Sequence, residues 1–282
     1  VGEIFGILGD NGAGKSTLIR QMVNLERSTA GTITLYGQDI TRQPLLVPAR
    51  VGYMPQDVRS LNNLTVGEAF YFTAHLKGLT RPDARAECDA LLTRLGIQEL
   101  RHKSATRLSG GQKRLVQLGI AMAASPPVMI LDEPTNELDP QRRHLVWTLI
   151  RQLNREHGTT VIFITHDAIE AEKVVHRVAI MVAGQIVSLG RPSELKRVID
   201  RQLRLEMFFP PERTPVLPPG YAPQTLDPGR WLLYLEWEAA GAFLSTMDLT
   251  QLDDFRLYSA TLEDLYIHYA ITHHAPPQPE RA

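Results

Sequence analysis

Cysteine is nearly absent: Cys88 is the only one in 282 residues. No intrachain disulfide is therefore possible, and a reducing compartment suits the chain. Cys88 falls in the polar stretch Arg85 to Leu95, a setting for a structural thiol rather than a reactive one. An excess of charge of either sign is also missing. With 30 Lys and Arg against 31 Asp and Glu, the formal net charge is -1, which gives no case for nucleic acid or an anionic membrane as a bulk electrostatic partner. Long apolar runs are lacking too. The longest uncharged stretch, Leu115 to Leu131, is divided by Ser125-Pro126-Pro127 into a helix and a short strand, and neither piece crosses about 30 Å of hydrocarbon. No signal-peptide pattern stands before the first motif. The chain is expected not to span a membrane, so any membrane link must come through a partner. Its length allows one large core with a smaller appendage.

The sequence does contain a glycine-rich loop. Gly9-Asp10-Asn11-Gly12-Ala13-Gly14-Lys15-Ser16-Thr17 follows the apolar run Ile4–Leu8. Glycines let successive N–H groups converge on phosphate oxygens. Lys15 is placed to reach the outer phosphates and the Ser16 hydroxyl to ligate Mg²⁺, and a helix opening near Lys15 aims its positive end at the same anion. This is a P-loop in strand-then-helix context, and it specifies a nucleotide.

Ile4–Leu8, Val51–Met54, Val128–Leu131 and Val161–Ile164 are continuous rather than alternating apolar runs, as expected of parallel strands covered on both faces. Ligands of such sheets bind beyond the carboxyl ends of the strands. There the runs lead into the P-loop, Gln56, Asp132-Glu133 and His166 respectively. Asp132 suits Mg²⁺ opposite Ser16, and Glu133 suits a general base for the attacking water. Gln56 is a candidate for ordering that water or touching Mg²⁺, and His166 for hydrogen-bonding the γ-phosphate. Each is weak alone and gains from its position after a strand.

Leu108-Ser109-Gly110-Gly111-Gln112 has capping-box spacing, so a helix should start there and run through Leu115, Leu118 and Met122. Gly110 and Gly111 leave that second helix end bare for a phosphate. Because the P-loop already serves this chain's own nucleotide, the second seat points to ATP held by another subunit.

With these motifs in order, the chain resembles an ABC-type ATPase, the ATP-binding subunit of ATP-binding cassette transporters. The resemblance runs from Val1 to about Leu195, with a D-loop at Glu137-Leu138-Asp139. It implies an α/β P-loop NTPase with a mostly parallel sheet and a helical signature subdomain at about 60–125. It also implies a head-to-tail dimer, with itself or a homologous cassette, that clamps ATP and Mg²⁺ between the P-loop of one subunit and Ser109–Gly111 of the other. Asp139 would reach across the interface. The further implied partner is a polytopic membrane permease, meeting the Q-loop and helical subdomain at the cytoplasmic face of the cell membrane. Asp10 stands where the family often has proline and Glu137 where it often has glycine, so the D-loop is expected to differ in geometry at most.

Thr65-Val66-Gly67-Glu68 is a capping box, and the next helix carries Phe70, Phe72 and Leu76, its aromatics read as core. Arg81-Pro82-Asp83 opens a helix ending near Gly96. The stretch from Leu64 to Leu79, with Thr165-His166-Asp167 and Gly184-Gln185-Ile186-Val187, is similar to the type-2 exporters of drugs, lipids or glycans. Two rivals remain: a non-transport ABC ATPase for DNA repair, chromosome organisation or translation, and a truncated cassette with impaired activity. One motif set and no heptad insertion speak against the first.

Only Val1 to Leu8 precede the P-loop, where the family normally has about two further strands and an aromatic that stacks on adenine. Such stacking is worth about 1–3 kcal/mol, so ATP is expected to bind roughly ten-fold or more weakly than to a complete cassette. The start at Val1 is expected to lie inside a longer gene. After about residue 200 comes a small α+β region reaching residue 271. Phe208–Pro219 is proline-rich loop or linker, Trp231, Leu233, Leu235 and Trp237 line one face of a strand, and a helix and a further strand follow. Thr261-Leu262-Glu263-Asp264-Leu265-Tyr266, which opens the last helix, resembles the Ser-Leu-Glu-Asp-Val-Phe element of type-2 exporter ATPases. Residues 272–282 read as a disordered tail, with His273-His274 solvated.

Overall fold

The computed structural model describes residues 1–56, 63–199 and 202–274. Two units are distinguished, Val1–Leu189 and Gly190–Ala282. The first is built from β1 (Ile4–Leu8), α1 (Lys15–Met22), β2 (Thr34–Leu35), β3 (Gln38–Asp39), α2 (Leu46–Arg50), β4 (Val51–Met54), α3 (Val66–Leu76), α4 (Arg81–Leu95), α5 (Gly110–Met122), β5 (Val128–Asp132), α6 (Pro140–His157), β6 (Thr160–Thr165), α7 (Ala168–Glu172), β7 (Arg177–Val182) and β8 (Gln185–Gly190).

The apolar runs form neighbouring strands of one sheet, in the order β4-β5-β6-β1-β7-β8. The pairs β4–β5, β5–β6, β6–β1 and β1–β7 are parallel, with Val128 opposite Val51 and Ile7 opposite Ile164. Continuous hydrophobicity is explained by burial on both faces. Met129 and Leu131 of β5 pack with Trp147 and Ile150 of α6 on one side, while Val128 and Ile130 pack with Ile19 of α1 and Val47 of α2 on the other. The turn from β7 to β8 is Ala183-Gly184, both at positive φ (48° and 82°), as two-residue hairpin turns require.

The helical part obeys its caps. Thr65 and Glu68 exchange backbone and side-chain hydrogen bonds at the start of α3, Thr80 caps α4, and Gly96 ends α4 at φ 64°. Cys88 is buried, and burial pushes its thiol pKa up, which agrees with a structural role. Phe70 is buried, but Phe72 and Leu76 are exposed, Leu76 at 87%. This corrects the expectation that both aromatics are core, since Phe72 is not. Residues 70 and 72 lie about 200° apart around a helix, so Val66, Phe70 and Ala74 face inward and Phe72 and Leu76 share the opposite face. Among the described residues no helix is long and apolar enough to cross a membrane.

The second unit comprises α8 (Pro192–Ile199), β9 (Gln202–Phe208), β10 (Gln224–Asp227), β11 (Arg230–Glu236), α9 (Ala240–Thr246), β12 (Asp254–Ser259) and α10 (Leu262–His274). Its sheet, in the order β10-β11-β9-β12, is antiparallel throughout. Leu205 and Met207 of β9 pack with Leu233 and Leu235 of β11 and Phe243 of α9. Trp237 departs from the expected stripe. The strand ends at Glu236, the chain turns with the Ala239 amide donating to the Glu236 carbonyl, and Trp237 is left exposed. Thr261 and Asp264 cap α10 reciprocally, and Arg204 of β9 donates to both Asp264 oxygens at 2.9 Å. The last helix runs to His274, three residues past the expected start of the tail, so residues 272–274 are helical; the rest of the expected tail, from 275 on, lies outside the described residues.

Candidate active site

Gly9 and Asp10 leave β1, and the chain turns back with the Ala13 amide donating to the Asp10 carbonyl at 3.1 Å. Gly14 occupies the N-cap of α1 at φ 96°, in the left-handed region that favours glycine. The helix has no side-chain cap and no acidic residue in its first turn, so its leading N–H groups are left for an anion. Gly9 is required for a different reason, because a Cβ there would stand 2.4 Å from the Met181 carbonyl oxygen. The Gly184 amide donates to the Ala13 carbonyl at 2.9 Å and ties the loop to the β7–β8 turn.

Lys15 is buried, and its ammonium donates to the carbonyls of Gly9 at 2.6 Å and Asp10 at 2.9 Å. Burial lowers its pKa, against the pull of the Glu133, Asp132 and Asp10 charges. Asp132 ends β5, fully within the sheet edge. Burial raises its carboxyl pKa, the adjacent Glu133 pushes the same way, and a hydrogen bond from Ser16 opposes both. Asp132 Oδ1 is buried without a hydrogen-bond partner. An orphaned carboxylate oxygen beside a serine hydroxyl is a donor set that a hard divalent cation fits.

Glu133 stands at φ 51°, a conformation that costs a non-glycine residue about 1–3 kcal/mol. The surroundings hold it there. Its amide donates to the Ile164 carbonyl at 3.0 Å, Thr165 Oγ1 donates to Oε2 at 3.2 Å, and His166 Nδ1 lies 2.8 Å from Oε1. Residues from the ends of two adjacent strands thus meet side chain to side chain. Gln56 follows β4 at the same edge and is exposed.

Ser109 caps α5 as its spacing predicts: its hydroxyl accepts from the Gln112 amide at 3.4 Å and Gln112 Oε1 accepts from the Ser109 amide at 3.1 Å. No hydrogen bond among the described residues links Ser109, Gly110, Gly111 or Gln112 to the P-loop. Asp139 is the N-cap of α6, its Oδ1 accepting from the Arg142 amide at 2.9 Å.

Two residues escaped the sequence reading. Arg114, buried on α5, donates to the Pro55 carbonyl at 3.3 Å and to Gln117 at 3.2 Å, and its charge works against the burial-driven rise of the Asp132 pKa. It ties the segment before Gln56 to the signature helix. Its place one turn ahead of Leu118 on a buried face was the available signal. Glu170 joins the loop after Glu133 to α6 and α7 by accepting from Thr135, Arg143 and Trp147. The spacing Asp167-x-x-Glu170 marks it only as a capping residue.

Strand, glycine loop, uncapped helix and strand-end carboxylates together define a P-loop nucleotide-binding protein. The family model "ABC transporter" matches residues 1–136. The methionine import ATP-binding protein MetN of Xanthomonas axonopodis pv. citri (strain 306) is 39% identical over 198 residues, 69% of this chain and 59% of that protein. The Nod factor export ATP-binding protein I of Paraburkholderia xenovorans (strain LB400) is 38% identical over 194 residues, 69% of this chain and 64% of that protein. The structure of cbiO1 from Clostridium perfringens, part of the ABC transporter complex cbiONQ, superposes with a TM-score of 0.61 at 31% identity, covering 69% of this chain and 79% of that one. The chain belongs to the ABC transporter family, as an ATP-binding subunit homologue. It spans 59% and 64% of the length of the two curated relatives.

Proposed function

We propose that this chain is the ATP-binding and ATP-hydrolysing subunit that powers a separate membrane permease. The observation that carries this reading is the convergence of Lys15, Ser16, Asp132, Glu133 and His166 on one sheet edge, with Glu133 and His166 in contact. Gly9, Asn11, Gly12, Ala13, Gly14, Lys15, Ser16 and Thr17 receive the phosphates. Ser16, Asp132 and Gln56 hold Mg²⁺, which supplies charge neutralisation at the phosphate oxygens. Glu133 takes a proton from the attacking water, and His166 positions Glu133 and touches the γ-phosphate.

Ser109, Gly110, Gly111 and Gln112 act in trans, on ATP held by a partner cassette, with Asp139 at the same interface. What supports the trans role is that, among the described residues, none of Ser109, Gly110, Gly111 and Gln112 is hydrogen-bonded to the chain's own P-loop, although α5 opens on two glycines. Phe72 and Leu76, exposed together on one side of α3, form the apolar face that receives the permease. Export is the direction proposed, from the exporter-like segments Leu64–Leu79 and Thr261–Tyr266. The relatives' names include both an importer and an exporter, so direction is read from transport in vesicles holding the permease.

The test of the chemistry is Glu133→Gln. It should keep Mg-ATP binding, lower turnover by roughly two or more orders of magnitude, and accumulate a closed dimer. Parental turnover in that variant would sink the assignment.

A further inference from the structure

The α5 end is not empty in this chain. A Cβ on Gly110 would stand 2.6 Å from Glu137 Oε2, and one on Gly111 would stand 3.1 Å from Arg142 Nη1. The Glu137 carboxylate therefore lies beside the first residue of α5, where the helix presents its positive end. No acidic residue stands in the first turn of α5 itself, so this negative charge is delivered from the neighbouring loop. Delivery has a conformational cost, since Glu137 stands at φ 62°, in the left-handed region that favours glycine. The two acids of the D-loop are held differently. Asp139 caps α6 and pairs with Arg142 at 3.5 Å, whereas Glu137 is exposed and enters no ion pair among the described residues.

We propose that Glu137 is an internal stand-in for the partner nucleotide's terminal phosphate. In the separated subunit its carboxylate holds the positive end of α5. ATP-driven closure must displace it, because a carboxylate and a phosphate repel each other and desolvate together at closure. Withdrawal leaves Arg142, already beside Gly111, facing the arriving phosphate with its guanidinium. Glu137 thereby raises the ATP concentration at which two cassettes close and restrains closure of unpartnered subunits. The inference rests on the trans role of Ser109–Gly111 proposed above.

The experiment uses the full chain carrying Glu133→Gln, with and without Glu137→Gln, which removes the charge and keeps the shape. Dimer fraction is followed against Mg-ATP by analytical ultracentrifugation at low salt, and ATP affinity is measured separately at a protein concentration where only monomer exists. Glu137→Gln should lower the ATP concentration for half-dimerisation by about two- to five-fold per seat, the size of a charge effect at a helix end, and leave monomer affinity unchanged. The gap should narrow as salt rises. Equal thresholds in the two proteins, or a higher one without the charge, would overturn the stand-in. Ser109→Arg in the Glu133→Gln background separates this from failure of the underlying reading. If it dimerises as readily as its parent, the trans role itself is wrong and Glu137 has no phosphate to imitate.

Discussion

The helix ends of α1 and α5 face the same problem and solve it differently. Glycine is the N-cap of α1 and the first residue of α5, and neither helix carries an acid in the first turn. The α1 end has no side-chain cap, and the Lys15 ammonium lies over the carbonyls of the loop before it. The α5 end has a complete capping box, and a carboxylate from the next loop rests against it. An uncapped end keeps its N–H groups for a ligand of its own chain. A capped and shadowed end is already partly satisfied, so a ligand there must compete. The first arrangement suits tight binding by a single subunit, the second a contact made only on assembly.

Breaking the α1 end should have the largest effect. Lys15→Ala removes a buried cation that hydrogen-bonds the loop, and ATP affinity should fall roughly a hundred-fold, the worth of about 3 kcal/mol of charge-assisted hydrogen bonding. Nucleotide titration of the isolated subunit checks this, and unchanged affinity would remove the loop from the site. Breaking the α5 end should spare binding. Ser109→Arg is expected to abolish hydrolysis while the isolated subunit still binds ATP. Mixing it with Lys15→Ala subunits leaves each mixed dimer one composite site with an intact P-loop and an intact signature, so part of the activity should return. Equal loss of monomer binding in the Ser109 variant would count against the trans role.

A smaller effect should have the opposite sign on stability. Asp132 is buried, has an unpartnered oxygen and lies next to Glu133. Asp132→Asn should raise the Tm of the ligand-free protein by roughly 2–4 °C, the shift for about 1 kcal/mol. The same change should remove the Mg²⁺-dependent part of the stabilisation by ATP. A lowered Tm without ligand would mean that the carboxylate is structurally satisfied after all. Least of all, Gln112→Ala should cost about 0.3–1.5 kcal/mol in a urea melt, as expected for one half of a capping box. A null result would place the whole cap on Ser109.

Much of this was legible because it depends on local physics. The observed strands Ile4–Leu8 and Val51–Met54 coincide with the apolar runs, and β5 and β6 extend them by one and two residues. A doubly covered strand has no polar face to blur the pattern. The boxes Thr65–Glu68 and Ser109–Gln112 closed as their spacing predicts, since a cap involves only four consecutive residues. Phe72 was misread because apolar chemistry does not tell which side of an element faces the core, and Trp237 because the strand ends one residue before it. Arg114 and Glu170 were passed over because the partners of one come from residue 55 and those of the other from residues 135, 143 and 147.

The sequence alone determined that a glycine loop meets a helix after a buried strand, that carboxylates and a histidine end two other strands, and that a second glycine-opened helix lies between them. Local sterics, hydrogen-bond spacing and strand periodicity act within a few residues, so composition and order suffice. Tertiary structure decided that β5 and β6 are neighbours in parallel register, which brings Glu133 to 2.8 Å from His166 across 33 positions of chain. It also decided that the loop after Glu133 folds back on α5, which sets Glu137 against Gly110. Those contacts depend on how separate elements pack, and close packing fixes such distances only once the whole sheet and its covering helices are in place.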